Sequence, residues 1–558
     1  MAHHTGIYAV LIFLLLGLAG CRDQPEEVAD EPTALDLRQG ELILCSGQAF
    51  GEVQSGFSCR PAVRESFDLA MALLHSFEYD EAEKAFGRVI AEDPECAMAY
   101  WGAAMSLYHA LWAPPGEAEL EKGARILAAA RELPATARER DYLEAVGWYF
   151  RDWETIDAKT RARDMSAKMR EIHERYPEDT EAAIFYALTL NATADPSDKS
   201  YRNQREAGRI LEALFPDQPN HPGIAHYIIH NYDNPVLAEK ALPTARKYAD
   251  IAPASAHAQH MPSHIFTRLG LWEESIAANL RSTEAAVCYA EGAGLEGHWD
   301  EELHGMDYLV YAYLQRGDNR HAEQQNEYLN TFTKLSPVNF KGAYTLAAIP
   351  ARIALENRDW PAAAGLELST MDFPWADYPW QRAILHFSRA LGAIHLGERE
   401  AAEREIATLD SLHTRLAALD DPYQMNQVMI QIKSAQAWLG LARGQRAEAL
   451  ALMEEAATME DNTAKHPVTP GEVLPARELL GDMLRVLGRP ADALRAYEGS
   501  LATHPNRFNG LYGAATAADR LGDHDKARRY FAQLVSQTAG TDNQRPEIRE
   551  AEAFLGRR

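Results

Sequence analysis

Apolar positions recur at three- and four-residue spacing along most of this chain, and strand-like alternation is nearly absent, so the pattern predicts helices almost throughout. The helices are expected in pairs of fixed length. Leu69, Ala70, Tyr79, Ala82, Phe86 and Pro94 set small residues where two helices cross, an aromatic in the second helix and a proline at its exit. Gly481, Ala493, Tyr497 and Pro505 hold the same offsets, and Ala515, Ala527 and Phe531 follow the first three of them by 34 residues. Repetition at that interval predicts stacked helix-turn-helix units, each burying its apolar face on the next. The spelling weakens over 117–176 and 337–420, and a polar insertion at 195–203 interrupts one unit. The expected divisions are repeats over 61–203, a histidine-rich set over 204–335, degenerate repeats over 336–425 and a last set over 426–558. His75, Trp101 and His109 lie in an aromatic-rich helix pair and are expected to fill the core.

The N-terminus reads as a targeting signal, residues 1–20. Its apolar run, 7–17, is too short to cross a bilayer and leads into Leu18-Ala19-Gly20-Cys21. Those four residues resemble the lipobox of bacterial lipoproteins. The resemblance implies a lipid on Cys21 and a chain held to a membrane of the bacterial envelope, facing the periplasm or the exterior. Residues 21–60 are expected to be a flexible, Gly-rich segment. Export implies an oxidising compartment, so Cys45 and Cys59 are expected to bridge, with Cys96 a small buried residue. No metal-type cysteine spacing occurs.

Charge adds an exclusion. The 558 residues carry a net charge of −27, and such a surface repels nucleic acid over the distance that salt leaves unscreened. No nucleic-acid partner is expected.

The candidate chemistry lies in residues 221–307, which hold eight of the 20 histidines. His226 and His230 recur as His260 and His264, each 34 residues on, so the two pairs are expected side by side on neighbouring helices. Take the small residue of the second helix (Ala241, Ser275, Ala322) as position 20. His226 and His260 then fall at position 5, His230 and His264 at position 9, and His257 and His304 at position 2. The third unit sets Asp307 at position 5 and Tyr311 at position 9, and its 13 extra residues fit an inter-repeat loop over 288–300 that carries His298. These positions share one helical stripe, so His226, His230, His257, His260, His264, His304 and Asp307 are expected on one patch. Ala225 and Ala258 would let the helices approach. Pro262 would kink the second helix or place His257 to His260 in a first turn, so the two pairs need not be equivalent.

The interval of 34 is the length of the tetratricopeptide repeat. The blocks ALLHSFEYDEAEKAF, CAMAYWGAAMSLYHALW, HPGIAHYIIHNYD, HMPSHIFTRLGLWEESIAAN, HGMDYLVYAYLQ and LPARELLGDML together resemble one bacterial family of exported tetratricopeptide-repeat proteins. The resemblance implies an all-α solenoid, export, and a concave groove where positions 2, 5 and 9 of the first helices meet ligand. It implies no particular activity.

Four uses of the patch stay open. Imidazoles at i and i+4 chelate a single ion, and a set rich in imidazole with one carboxylate and no thiolate suits zinc, iron or copper over magnesium or calcium. Asp233, Asp300, Glu301 and Glu302 are candidates to orient such ligands. Alternatively the histidines, with His221, Tyr227, Arg268, His298 and Tyr308, hydrogen-bond a peptide, a protein segment or a small polar ligand. A bound metal could also serve a hydrolase or an oxidase, although no HExxH, GxSxG, GxxxxGK[ST] or GxGxxG motif accompanies it. The histidines could instead satisfy one another as a buried polar network. The preferred reading is a membrane-anchored solenoid lipoprotein that binds a ligand in its groove through a histidine-rich metal site.

Overall fold

Antiparallel helix pairs follow one another from Arg64–His75 and Tyr79–Glu92 to Phe508–Arg520 and His524–Gln537. The computed structural model describes residues 35–45, 50–111, 114–542 and 545–556. Cys21 and the targeting signal lie outside the described residues. The strands among those residues are one short parallel pair, His298–Trp299 with Leu335–Ser336. No helix among them is long and apolar enough to cross a membrane.

The small residues do what their offsets demand. A Cβ on Gly102 would stand 2.3 Å from the Phe86 ring, and one on Gly481 would stand 2.7 Å from Tyr497. Each aromatic therefore packs straight onto the backbone of the helix it crosses. Apolar side chains between Leu35 and Ala278 form one core, those between Tyr344 and Ala551 a second, and those between Leu303 and Phe373 a smaller third. The histidine repeats span the seam between the two large cores.

Both ends of the chain reinforce that seam. The described residues of the N-terminal segment, 35–45 and 50–60, are packed rather than loose, with Leu37, Phe50, Val53 and Phe57 buried. Its cysteines do not pair as expected. Cys45 bonds Cys288, 243 residues away, and Cys59 bonds Cys96. The segment crosses the stack, so Cys45 lands beside a helix of the middle repeats instead of beside its neighbour in sequence. At the other end, Trp272 Nε1 donates to the Asn506 carbonyl (2.9 Å) and Asn506 Nδ2 to that of Gly270 (3.1 Å). The buried Arg507 donates to Glu478 (2.9 Å) and to the Tyr311 hydroxyl (3.0 Å).

One connector matters most for the site. Residues 462–475, between Arg446–Asp461 and Ala476–Val486, run inward across the histidine repeats. Arg352 holds this segment through the carbonyls of Gly471 (2.9 Å) and Glu472 (2.8 Å), and His504 holds the Glu472 carboxylate (2.9 Å). Lys465 reaches Asp233 (3.3 Å).

Candidate metal centre

His226 and His230 lie on Pro222–Tyr232, which His221 caps and Pro222 starts. His257 and His260 lie on Ala256–His260, capped by Ser255, and His264 lies on Pro262–Leu269. Pro262 does interrupt the second helix. The interruption leaves the pairs equal: Nε2 to Nε2 is 3.0 Å for His226 and His230 and 3.0 Å for His260 and His264.

The seven expected groups do not form one patch. They form two triads, His226/His230/His257 and His260/His264/His304, with the ligand atoms within each inside 4.8 Å of one another. In the first, His226 Nε2 stands 3.1 Å from His257 Nε2 as well. The position-2 histidine of each repeat, His257 or His304, closes the triad of the preceding repeat. Four equal Zn–N bonds of about 2.0–2.1 Å in a tetrahedron separate neighbouring nitrogens by about 3.3–3.4 Å. The separations of 3.0, 3.0 and 3.1 Å come within a few tenths of an ångström of that, and the other ligand atoms of each triad lie within 4.8 Å of one another.

The tautomers decide what these nitrogens can do. Asn279 gives its amide N–H to the Ser275 carbonyl (2.8 Å), so its Oδ1 faces His260 Nδ1 (2.6 Å) and must accept. His264 Nδ1 faces the Asp233 carboxylate (2.9 Å). Both Nδ1 atoms therefore carry the proton, and in the neutral rings two bare Nε2 lone pairs meet at 3.0 Å. The Tyr308 hydroxyl, 3.4 Å from either nitrogen of His264, is too far to resolve the clash. In the first triad His226 Nδ1 donates to the His75 carbonyl (2.7 Å), so its one Nε2 lone pair faces two other imidazole nitrogens.

Protonating a ring would relieve the repulsion, and the surroundings oppose it. Burial first, then neighbouring imidazoles and the Lys341 ammonium, push His260 and His304 well below the usual imidazole range, and the Lys465 ammonium adds to this at His260. Burial and nearby imidazoles do the same to His230 and His257, and burial takes His226 down to about 3. Burial would raise Asp233, yet Lys465, Arg268 and His264 hold it well below the usual carboxylate range. Phe77 covers the first triad, with its ring 4.4 Å from that of His226 and stacked on His230 and His257. It does so from a left-handed backbone, φ +59°, which is costly for an aromatic residue.

Linkage fixes a sign. A histidine held neutral binds fewer protons folded than unfolded, so its stabilising share is complete above pH about 6.5 and is lost as pH falls toward the depressed folded value. Each such group contributes a slope of up to about 1.4 kcal/mol per pH unit. The melting temperature of the metal-free protein is therefore expected to fall steadily from pH 7 to pH 5; calorimetry showing a flat profile would contradict neutral burial.

A third cluster is self-sufficient. Glu181 accepts from His75 Nε2 (2.8 Å) and His221 Nε2 (3.0 Å), while His75 Nδ1 takes the Tyr227 hydroxyl (3.1 Å) and His221 Nδ1 the Ile224 N–H (3.4 Å). Every ring nitrogen has a partner that fits, so this network needs no ion.

Cavities flank the triads. One of about 990 Å³ reaches His257, and one of about 400 Å³ reaches His230, Asp233 and Arg268. Pro467 and Val468 of the inward segment close a third, of about 10 Å³, over the triads themselves.

The family model for the tetratricopeptide repeat matches residues 67–134 and 478–543. No curated protein matches the chain. Among solved structures, the crystal structure of yeast Tom70 aligns with 88% of this chain and 95% of its own, at 12% identity and a TM-score of 0.34. The human IFIT1 dimer with m7Gppp-AAAA aligns with 84% and 89%, also at 12% identity and 0.34. Likeness that distant carries no argument. The repeat matches and the continuous run of helix pairs decide the architecture. The fold is a tetratricopeptide-type α-solenoid.

Within this tetratricopeptide scaffold some expected site residues stand elsewhere. Asp307 joins no triad; it is buried against Arg352 Nε (3.1 Å), whose charge it balances. His298 pairs with Glu302 (2.8 Å) and stacks on Phe332, away from both triads. Cys288 is not in a connector but inside Trp272–Gly292, which outruns the usual repeat helix. Asp300 and Glu302 orient no ligand, since Lys341 and Asn339 hold the first and His298 and Tyr328 the second. His221 and Tyr227 belong to the Glu181 network. Asp233 does orient His264, Arg268 braces Asp233 (2.9 Å), and Tyr308 packs on His264. Ala225 and Ala258 are fully buried. Sequence reasoning missed Asn279, Lys341, Lys465 and the His75 carbonyl. Of these only Asn279 carried a signal, as the last residue of the second histidine block.

Proposed function

We propose that this tetratricopeptide-type scaffold binds transition-metal ions, one in each histidine triad, through Nε2. The observation that carries the reading is the facing pair of bare nitrogens of His260 and His264, fixed by Asn279 and Asp233 and kept from protonation by burial. A cation between them turns that repulsion into two bonds. The donors are all imidazole, which suits zinc, copper or iron. Three different partners (a carbonyl, an amide and a carboxylate) hold Nδ1 of His226, His260 and His264, the kind of outer support that metal-bound histidines have. A chain with two disulfides suits an oxidising compartment, in keeping with export and a lipid anchor at Cys21. Pro467 and Val468 lie where an extended peptide would meet the triads, so the site favours a small polar ligand over a peptide. Hydrolysis or oxidation at the ions is the enzymatic form of the same reading.

Elemental analysis of protein purified without an affinity tag tests it, beside a His226→Ala/His260→Ala variant checked for unchanged helix content. Stoichiometric zinc, copper or iron is expected in the wild type and its loss in the variant. A wild-type chain that stays metal-free after incubation with all three ions would refute the proposal.

A further inference from the structure

The two triads share one piece of helix. His257 completes the first while His260 and His264 begin the second, and all three lie within residues 256–269. Three residues of helix rise about 4.5 Å, so ions held by the two triads are close neighbours. The rings of His230 and His264, one from each triad, stand 6.4 Å apart between centres. The cavity of about 10 Å³ touches both triads, lined by His230 and His257 from one and His264 and His304 from the other. It has room for about one water-sized group.

Glu301 lines the same cavity. Its side chain is buried, its Oε1 accepts from Lys341, and its Oε2 meets no hydrogen-bond donor among the described residues. Lys341 does not require it, since Asp300 already lies 2.6 Å from the ammonium. A buried carboxylate oxygen with no partner is a large local cost, and native proteins keep such groups where something compensates them. Here it lines one cavity with imidazoles of both triads.

We propose that the two triads form a single dinuclear centre for a pair of divalent transition-metal ions, with Glu301 as the carboxylate both ions share through Oε2. The inference rests on the reading that the triads take ions at all. Three imidazoles leave a fourth position on a tetrahedral ion, and one oxygen shared between the two sites fills that position on both. Ions in such pairs stand about 3.5–4 Å from each other, somewhat less than the rise of about 4.5 Å between His257 and His260. His257, Glu301 and Lys341 also line the 990 Å³ chamber. A small molecule therefore reaches the pair from that side, beneath the segment that bars a peptide.

Copper loading of the stripped, tag-free full chain separates the possibilities. With Cu(II), the wild type is expected to bind two ions and to give an integrated EPR signal well below two spins per chain, because a shared oxygen couples the two. Glu301→Gln is expected to weaken the second ion by at least about tenfold and to restore the full signal of whatever copper is bound. Glu302→Gln, beside it in sequence but turned to His298 and Tyr328, should behave as the wild type. One ion per chain, two ions at full spin count, or a Glu301→Gln protein identical to the wild type would each overturn the pair while leaving ion binding intact. No uptake of any transition ion would bring down the reading beneath it instead.

Discussion

Replacing Arg352 with alanine is expected to lower the unfolding free energy by about 3–5 kcal/mol and to loosen the cover over the histidines. The guanidinium is fully buried and serves both the Asp307 carboxylate and the inward segment. Its Nε holds Asp307 (3.1 Å), and its terminal nitrogens hold the carbonyls of Gly471 and Glu472. Alanine strands Asp307 as an uncompensated buried charge and cuts the inward segment from the wall it hangs on. Chemical denaturation should show the lost stability, and hydrogen exchange should show faster labelling across 465–473. A loss under about 1 kcal/mol with unchanged exchange would mean that neither contact stabilises the fold.

Asp233→Asn is expected to be nearly as severe, and asymmetric. The carboxylate accepts from His264, Arg268 and Lys465 together. An amide leaves two buried cations without their counter-charge, a cost on the order of 3–5 kcal/mol in the metal-free protein. It also frees the tautomer of His264, so ion affinity at His260/His264/His304 should fall about 10–100-fold. The triad of His226, His230 and His257, whose anchor is the His75 carbonyl, should keep its affinity. Metal titration followed by calorimetry can separate the two sites. Equal weakening of both would show that Asp233 acts on the fold alone.

The repeat register made the pairs legible. Copies of His226 and His230 at 34 residues fall on adjacent helices of a stack, and equal spacing gives equal geometry even across Pro262. The sorting into triads was not legible, because position 2 shares a stripe with positions 5 and 9, and only the packing of adjacent repeats decides which pair it joins. Asp307 misled for a related reason. Position 5 of the third unit faces the same hollow, but Arg352 claims it from the stretch where repeat spelling fails. His298 and Cys288 misled because the extra 13 residues do not form a plain loop; they lengthen Trp272–Gly292 and add the short strand pair. The segment 462–475 reads as an ordinary connector, and its inward course depends on Lys465, Gly471 and Glu472 meeting partners more than 100 residues away. His75 acts through its backbone oxygen, which no side-chain pattern encodes.

Anomalous diffraction at the zinc, copper and iron edges, from crystals of untagged protein grown without chelator, asks most directly whether the facing imidazoles hold ions. Peaks about 2.0–2.1 Å from Nε2 of His226, His230 and His257 and of His260, His264 and His304 are the predicted result. Crystals soaked in all three metals that show full density for the rings and no anomalous peak at either triad would contradict it.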